Sequence, residues 1–178
     1  MGSHLAFKLG QDLRRQSVAT TDHRQADVPG HQVGPFGDED FTREDQSVRV
    51  NVLALTILMK RAVPHMLAAG GGRILNVASI SGFAPGPGMA VYHATKAYVL
   101  SLSEAVAEEL RGRSVTITAF CPGATATGFA KGAGLEGTRL FAAGRLPAAG
   151  KVARAGWRAM LAGRRIRMTS LRGRLFAL

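Results

Sequence analysis

Hydrophobic positions in the first half of the chain follow a helical period. Apolar side chains recur three or four residues apart between Val48 and Met66, and the run stops at the glycines that begin with Gly70. Thr42 and the acid three residues later form a capping-box signature, in which the threonine oxygen accepts from a backbone amide of the first helical turn. The pattern therefore predicts a helix over 42–69.

Beyond this helix, short apolar runs alternate with further helical segments. Residues 73–79 and 115–120 are mostly apolar and rich in β-branched side chains, which is typical of buried parallel strands. A helix is predicted between them, over 89–111, and another over 148–161, followed by an edge strand over 165–169. This alternation predicts an α/β fold with a parallel sheet.

The first segment of the chain has a different character from the rest. Residues 1–33 are rich in Gln, Asp, His and Arg and show little periodicity, so they are left unassigned, as a disordered or displaced segment. Residues 34–178 are predicted to form a single α/β domain. The change near residue 34 suggests the hypothesis of a truncation or a shifted reading frame upstream.

Composition narrows the class of protein. A chain of 178 residues with 46% hydrophobic and 20% charged residues is ordinary for one globular domain.

The longest apolar stretch, Val52–Met59, is far shorter than the roughly 20 residues that span a bilayer, so no membrane segment is expected. The single Cys121 permits no internal disulfide, which favours a cytoplasmic location. No histidine pair has metal-ligand spacing, so no metal site is expected.

The net charge of +11 is unevenly distributed. From Arg111 onward there are thirteen Lys or Arg and one acid, Glu136, whereas residues 1–110 carry ten bases and eleven acids. A basic C-terminal third is compatible with a nucleic-acid or phosphorylated partner. Because no nucleic-acid motif and no interleaved aromatic residues accompany the charge, a solvated arginine-rich face is favoured, and a nucleic-acid-binding module is the third hypothesis.

A small set of polar residues is predicted to meet at one edge of the sheet. Tyr92 and Lys96 are four residues apart and are therefore neighbours on a helix, which by itself is compatible with ordinary amphipathic side chains. Ser79 ends one predicted strand, and the Pro122-Gly123 turn ends the next. Because ligands bind at the carboxyl ends of parallel strands, these groups should border one crevice.

The order and spacing of these residues resemble the short-chain dehydrogenase/reductase family. The resemblance covers 34–178 and is firmest over 50–129. It implies the C-terminal part of a Rossmann-like, doubly wound parallel sheet, and an NAD(P)-dependent oxidoreductase that transfers hydride between the nicotinamide cofactor and an alcohol or carbonyl substrate. The motifs that carry it are Asn51, the run 72–79 ending at Ser79, Tyr92-x-x-x-Lys96 and Pro122-Gly123-x-x-x-Thr127.

The resemblance also implies a role for each residue. Tyr92 exchanges a proton with the substrate oxygen, and Lys96 is expected to lower the tyrosine pKa from its ordinary value near 10. Ser79, favoured over Ser81 by its spacing from the tyrosine, stabilises charge on the carbonyl oxygen. Asn51, which alone is equally compatible with a solvent-facing position, disturbs its helix and helps to hold a water. The implied cofactor-binding residues are Tyr92, Lys96, Pro122, Gly123, Thr125 and Thr127.

The sequence departs from the family pattern at the cofactor's pyrophosphate. No Thr-Gly-x-x-x-Gly-x-Gly turn occurs before Asn51. The string 127–134 fits that pattern by letter, but no strand directly precedes it and no acid follows about 20 residues later, so it is interpreted as a substrate-side loop. Weak dinucleotide affinity is therefore expected, and the strand at 74–78 is expected to be an uncovered edge.

Partners follow from the same resemblance. A small alcohol or carbonyl is the expected substrate, and a homo-oligomer is expected through the helices at 42–69 and 89–111. A catalytically inactive fragment that acts only through these oligomer contacts is the alternative hypothesis. The substrate, the choice between NAD and NADP, and the direction of reaction stay open.

Overall fold

The computed structural model describes residues 16–20, 33–38, 41–133, 135 and 146–169, with the backbone alone described for 16–20, 131 and 132. Four strands and five α-helices follow one another along these residues. A π-helical turn, Arg49–Ala54, joins the first two helices, and a 3-10 helix, Ile80–Phe83, follows the second strand. The elements are β1 (Gln16–Thr20), α1 (Phe41–Val48), α2 (Leu55–Ala68), β2 (Gly72–Val77), α3 (Ala90–Glu109), β3 (Val115–Cys121), α4 (Phe129–Gly132), α5 (Ala149–Leu161) and β4 (Ile166–Met168).

All four strands are parallel and lie in the order β1-β2-β3-β4. Ile74 of β2 lies opposite Val18 of β1 on one side and Ile117 of β3 on the other. The short β4 pairs only with the end of β3, where Cys121 lies opposite Met168. The predicted α/β class and parallel sheet are confirmed.

One prediction about the beginning of the chain is wrong. Residues 16–20, which the sequence left unassigned, form β1. Because β1 pairs with β2 along its length, the strand expected at 74–78 is not an edge. The ladder joins backbone groups, which every residue supplies, so a polar segment without hydrophobic alternation can still pair. The remainder of 1–32 lies outside the described residues, and the domain boundary at residue 34 stays a prediction.

The first helix begins slightly earlier than the sequence predicted. Helix α1 already includes Phe41, so Thr42 lies inside the first turn and does not precede it as a capping residue. Helix ends fray by one or two residues, and the prediction of a helix over 42–69 otherwise agrees with α1, the π-turn and α2.

The core has two layers, one on each face of the sheet. Side chains alternate between faces along a strand, so Ile74 and Leu75 point in opposite directions. Helices α2 and α3 cover the first face, and α5 covers the second. Gly156 of α5 is required by close packing, since a Cβ there would lie 2.9 Å from Cδ1 of Phe120. The first layer includes Leu55, Met59, Met66, Ile74, Val99, Leu110 and Ile117, and the second Leu75, Phe120, Val152 and Met160.

The continuous helical run Phe41–Ala68 is long and apolar enough to cross a membrane by length and composition alone. The expectation of no such segment rested on the shorter stretch Val52–Met59, which does not reflect the length of the folded helix. A helix packed inside a protein passes the same test, and Met59 and Met66 on this run are buried against the sheet. The observation is therefore weak evidence for a membrane span.

Candidate active site

Ser79 lies just beyond the carboxyl end of β2. Its backbone is extended, and its side-chain oxygen caps the following 3-10 helix by accepting from the amide of Ser81 at 3.1 Å. The amide of Ile80 donates to the carbonyl of Pro122 at 3.1 Å, so this segment is fixed against the turn that follows β3. The structure thus gives Ser79, and not Ser81, the buried position at this edge of the sheet.

Tyr92 lies in the first turn of α3, and its side chain hydrogen-bonds that of Ser79. Burial raises the pKa of Tyr92, and the hydrogen bond from Ser79 opposes that shift without overcoming it. The expected lowering of this pKa is therefore wrong for the protein as it stands, because loss of hydration penalises the phenolate more than its neighbours stabilise it. The aromatic ring lies 5.5 Å from that of Phe129 and 6.0 Å from that of His93, centroid to centroid.

Lys96 is almost completely buried, with 1% of its surface exposed. Its ammonium donates to the carbonyl of Val77, the last residue of β2, at 3.2 Å and lies 5.8 Å from the centroid of the Tyr92 ring. The spacing of four residues places both side chains on the same face of α3, directed at the end of the strand. A buried ammonium is costly unless polar groups surround it, so its position here indicates a polar site.

Asn51 lies at the π-helical turn and is buried, with 7% of its surface exposed, so the solvent-facing interpretation is wrong. The helix is disturbed at this residue, as the resemblance implies. The side-chain amide donates to Oγ of Ser47 at 3.3 Å and to Oγ1 of Thr95 at 3.2 Å. Thr95 in turn donates to the carbonyl of Tyr92 at 2.9 Å, which connects Asn51 to the backbone that carries the tyrosine.

The turn after β3 brings the predicted nicotinamide-binding residues to the same edge. The amide of Gly123 donates to Oγ1 of Thr169 at 3.1 Å, and the hydroxyl of Thr125 donates to the carbonyl of Gly123 at 2.8 Å. The hydroxyl oxygen of Thr127 accepts from the amide of Phe129 at 3.3 Å, at the start of α4. The cofactor roles of this turn stay predictions.

Three residues at the site were not singled out in the sequence. Thr95 connects Asn51 to α3, Phe129 packs on the Tyr92 ring, and Nδ1 of His93 donates to the carbonyl of Ala84 at 2.7 Å. The hydrogen bond from Thr95 to the carbonyl of Tyr92 could have been predicted, because a threonine inside a helix commonly donates to the carbonyl three or four residues earlier. The positions of Phe129 and His93 depend on tertiary packing. Among the residues that the structure describes, no three metal-ligating side chains cluster.

Known proteins of one family match this chain. The short chain dehydrogenase family matches residues 26–136 of the chain. The uncharacterized oxidoreductase YvrD of Bacillus subtilis is 36% identical over 120 residues, which cover 67% of this chain and 43% of that protein. The human dehydrogenase/reductase SDR family member 4 is 35% identical over 103 residues, covering 56% and 37%. The chain thus spans less than half the length of these curated relatives.

Solved structures show the same fold. A short-chain dehydrogenase from Sphingobium yanoikuyae in complex with NADPH superposes with a TM-score of 0.73 at 26% identity, over 90% of this chain and 59% of that one. The 3-ketoacyl-(acyl-carrier-protein) reductase from Brucella melitensis complexed with NADH gives 0.70 at 23% identity, over 88% and 65%, which is a likeness of fold alone. With the family match over 26–136, these findings establish that the chain belongs to the short-chain dehydrogenase family.

Proposed function

We propose that this chain is an NAD(P)-dependent oxidoreductase that interconverts a carbonyl and an alcohol, with Tyr92 as the proton donor or acceptor. The observation that supports this most directly is the contact of the Tyr92 and Ser79 side chains beside the buried ammonium of Lys96. The proposal also rests on relatives whose names describe oxidoreductases. The alternative of an inactive fragment is not favoured, because the side chains that the reaction needs are brought together.

The proton chemistry follows from the chain's own residues. In the reducing direction, the Tyr92 hydroxyl gives its proton to the carbonyl oxygen of the substrate, and in the oxidising direction the phenolate takes that proton back. Ser79 donates a hydrogen bond to the same oxygen and stabilises the charge that develops there. Lys96 stabilises the phenolate left after proton transfer. The raised pKa of Tyr92 keeps the proton on the hydroxyl near neutral pH, as an acid requires.

The residues at this edge fit the nicotinamide end of a dinucleotide. Two hydroxyls and a buried ammonium form a donor set suited to a reacting oxygen and to ribose hydroxyls, and the turn from Pro122 to Thr127 lies beside them. When bound, the cofactor supplies or accepts the hydride. Among the residues that the structure describes, no strand leads directly into a glycine-rich pyrophosphate turn. Cofactor affinity is therefore proposed to be low for this chain.

Titration with NADPH and NADH, followed by nicotinamide fluorescence, tests cofactor binding separately from catalysis. Tyr92→Phe should bind cofactor as the unmodified chain does but should lose turnover of a panel of ketones and alcohols by about a hundredfold or more. Ser79→Ala should lose turnover less completely, since one donor to the substrate oxygen remains. Binding of neither cofactor at high concentration would remove the enzyme proposal, and full activity in Tyr92→Phe would remove the role of the tyrosine.

We also propose that the chain forms a homo-oligomer through the run Phe41–Ala68 and helix α3. Four large apolar side chains on that run are exposed, which is more than is usual for scattered surface positions. They are Phe41, Val48, Leu53 and Ile57. Light scattering after size exclusion should show a multiple of the 18.8 kDa chain mass, reduced to a monomer in Leu53→Ser/Ile57→Ser. A monomeric unmodified chain would contradict the proposal.

A further inference from the structure

The outward face of α5 carries an unusual combination of side chains. Arg154, Trp157, Arg158 and Leu161 are spaced at i, i+3, i+4 and i+7, which places them on one face of the helix, away from the buried Val152. Trp157 is 46% exposed and Leu161 47% exposed. Two large apolar side chains therefore lie in solvent on the same face as two arginines. These four residues are named here the α5 face.

The segment that carries the α5 face is strongly basic. The described segment 146–169 contains six basic residues and no acid, and these are Lys151, Arg154, Arg158, Arg164, Arg165 and Arg167. Arg165 pairs with Glu108 at 2.8 Å. Within the part of the chain that the structure describes, none of the other five forms a salt bridge. A surface that is electrostatically complementary to the α5 face is therefore anionic.

The geometry distinguishes between anionic partners. A symmetric contact with a second copy of this chain would place the arginines of one α5 face against those of the other, which like-charge repulsion opposes. A single nucleic-acid strand is held by grooves in which several aromatic residues stack on bases, whereas this face is a convex helix with one aromatic residue. A helix that presents Trp and Leu among arginines suits a flat lipid surface, where the apolar groups enter the headgroup boundary and the cations contact phosphates.

We propose that the α5 face binds the anionic surface of a lipid bilayer. Trp157 and Leu161 enter the boundary between headgroups and acyl chains, while Arg154 and Arg158 contact lipid phosphates. This attachment is peripheral, so it involves no membrane-spanning segment, and it replaces the expectation of no membrane partner. It does not depend on the oxidoreductase activity proposed above.

The chain provides its own probe, because Trp157 is its single tryptophan. Vesicles of phosphatidylcholine with added phosphatidylserine should shift the tryptophan emission to shorter wavelength and increase its intensity, whereas phosphatidylcholine alone should not. Because the attraction is electrostatic, added salt should reverse the shift. The absence of any shift with the anionic vesicles would overturn the proposal.

Matched charge variants locate the binding. Arg154→Gln/Arg158→Gln should weaken the vesicle partition coefficient by roughly thirtyfold. Lys60→Gln/Arg113→Gln removes two exposed cations elsewhere, gives the same net charge and should leave the partition coefficient unchanged within about twofold. Equal losses in the two variants would show that binding follows net charge, and would overturn the assignment to α5.

Leu161→Ser provides a second variant that keeps every charge. It should weaken vesicle binding several-fold because the apolar contact is lost, while far-ultraviolet circular dichroism confirms that each variant is folded. Unchanged binding in Leu161→Ser would overturn the role of the apolar side chains. Tighter binding of a single-stranded oligonucleotide than of the anionic vesicles, lost in Arg154→Gln/Arg158→Gln, would overturn the proposal in favour of a nucleic-acid partner.

Discussion

The Lys96 ammonium lies 5.8 Å from the centroid of the Tyr92 ring, beside the aromatic face, while the hydroxyl end of the ring contacts Ser79. Burial, which raises the tyrosine pKa, therefore prevails over the groups that would lower it. In the reaction proposed above, the cation would stabilise the phenolate that proton transfer leaves. The raised pKa keeps the Tyr92 hydroxyl protonated near neutral pH.

Tyr92 should therefore ionise above its ordinary pKa, near 10. The chain has two tyrosines, so Tyr98→Phe isolates the titration of Tyr92 in the ultraviolet absorbance of tyrosinate. Adding Lys96→Met should raise the pKa further, because a positive charge near the ring is removed. Ionisation at or below pH 10 would contradict the assignment.

The same raised pKa predicts a loss of stability in alkali. Between the unfolded pKa near 10 and the higher folded pKa, the unfolded chain releases the Tyr92 proton while the folded chain retains it. The free energy of unfolding should therefore fall as pH rises through that window. Urea denaturation at several pH values should show a smaller fall in Tyr92→Phe, and an identical fall in both proteins would exclude this residue as the cause.

Asn51 should contribute to stability through its two hydrogen bonds. Asn51→Ala removes the donor to Ser47 and Thr95 inside the protein and should lower the free energy of unfolding by about 1–3 kcal/mol. Ser47→Ala, which removes one of the two acceptors, is the control and should cost less. Urea denaturation measures both, and an Asn51→Ala chain as stable as the unmodified one would show that the network is not stabilising.

Gly86 should tolerate no side chain. A Cβ at this position would overlap the ring of His93, which is bound through Nδ1 to the carbonyl of Ala84 and therefore cannot easily move. Gly86→Ala should cost about 1–3 kcal/mol of stability, whereas Gly37→Ala, with no atom within 4 Å of the new Cβ, should cost little.

A double variant separates this overlap from other effects. In the background of His93→Ala, the ring is absent and Gly86→Ala should cost much less than in the unmodified chain. Thermal or urea denaturation of the four proteins gives the coupling free energy. Equal costs in both backgrounds would show that the histidine ring is not the obstacle.

Cys121 should be inert in the folded chain. Burial, with a smaller contribution from the charge of Glu104, raises the pKa of this thiol to about 12, and none of its surface is exposed. Because the thiolate is the reactive form, iodoacetamide at mildly alkaline pH should modify Cys121 only after urea unfolds the chain. Mass spectrometry follows the single cysteine, and rapid modification of the native chain would contradict its burial.

Hydrophobic periodicity predicted the long elements well, because these are the elements whose packed faces repeat. The helices expected at 89–111 and 148–161 are Ala90–Glu109 and Ala149–Leu161. Strand β1 was missed, since its place in the sheet depends on backbone pairing with β2 and not on an apolar pattern. The order of motifs was sufficient to indicate the family, because three of the four end a strand or begin a helix at the same edge, and the fourth, Asn51, disturbs a helix that is bonded to α3.

The errors at the site concern properties that only tertiary structure determines. The burial of Asn51 accompanies a hydrogen bond to Thr95, 44 residues away, and no local period indicates it. The direction of the Tyr92 pKa depends on how far the fold removes the ring from water, whereas the sequence shows only that Lys96 is near. The spacing of residues in the sequence predicted which side chains meet. It did not predict how far the fold removes each side chain from water.

The order of the strands has a consequence for chirality. Each connection moves one strand further in the same direction, yet α3 packs on one face of the sheet and α5 on the other. The crossovers from β2 to β3 and from β3 to β4 therefore have opposite hands, and one departs from the right-handed rule that nearly all such units obey. The stretch from Pro122 to Ala148 connects the two faces of the sheet, since β3 ends before it and α5 begins after it.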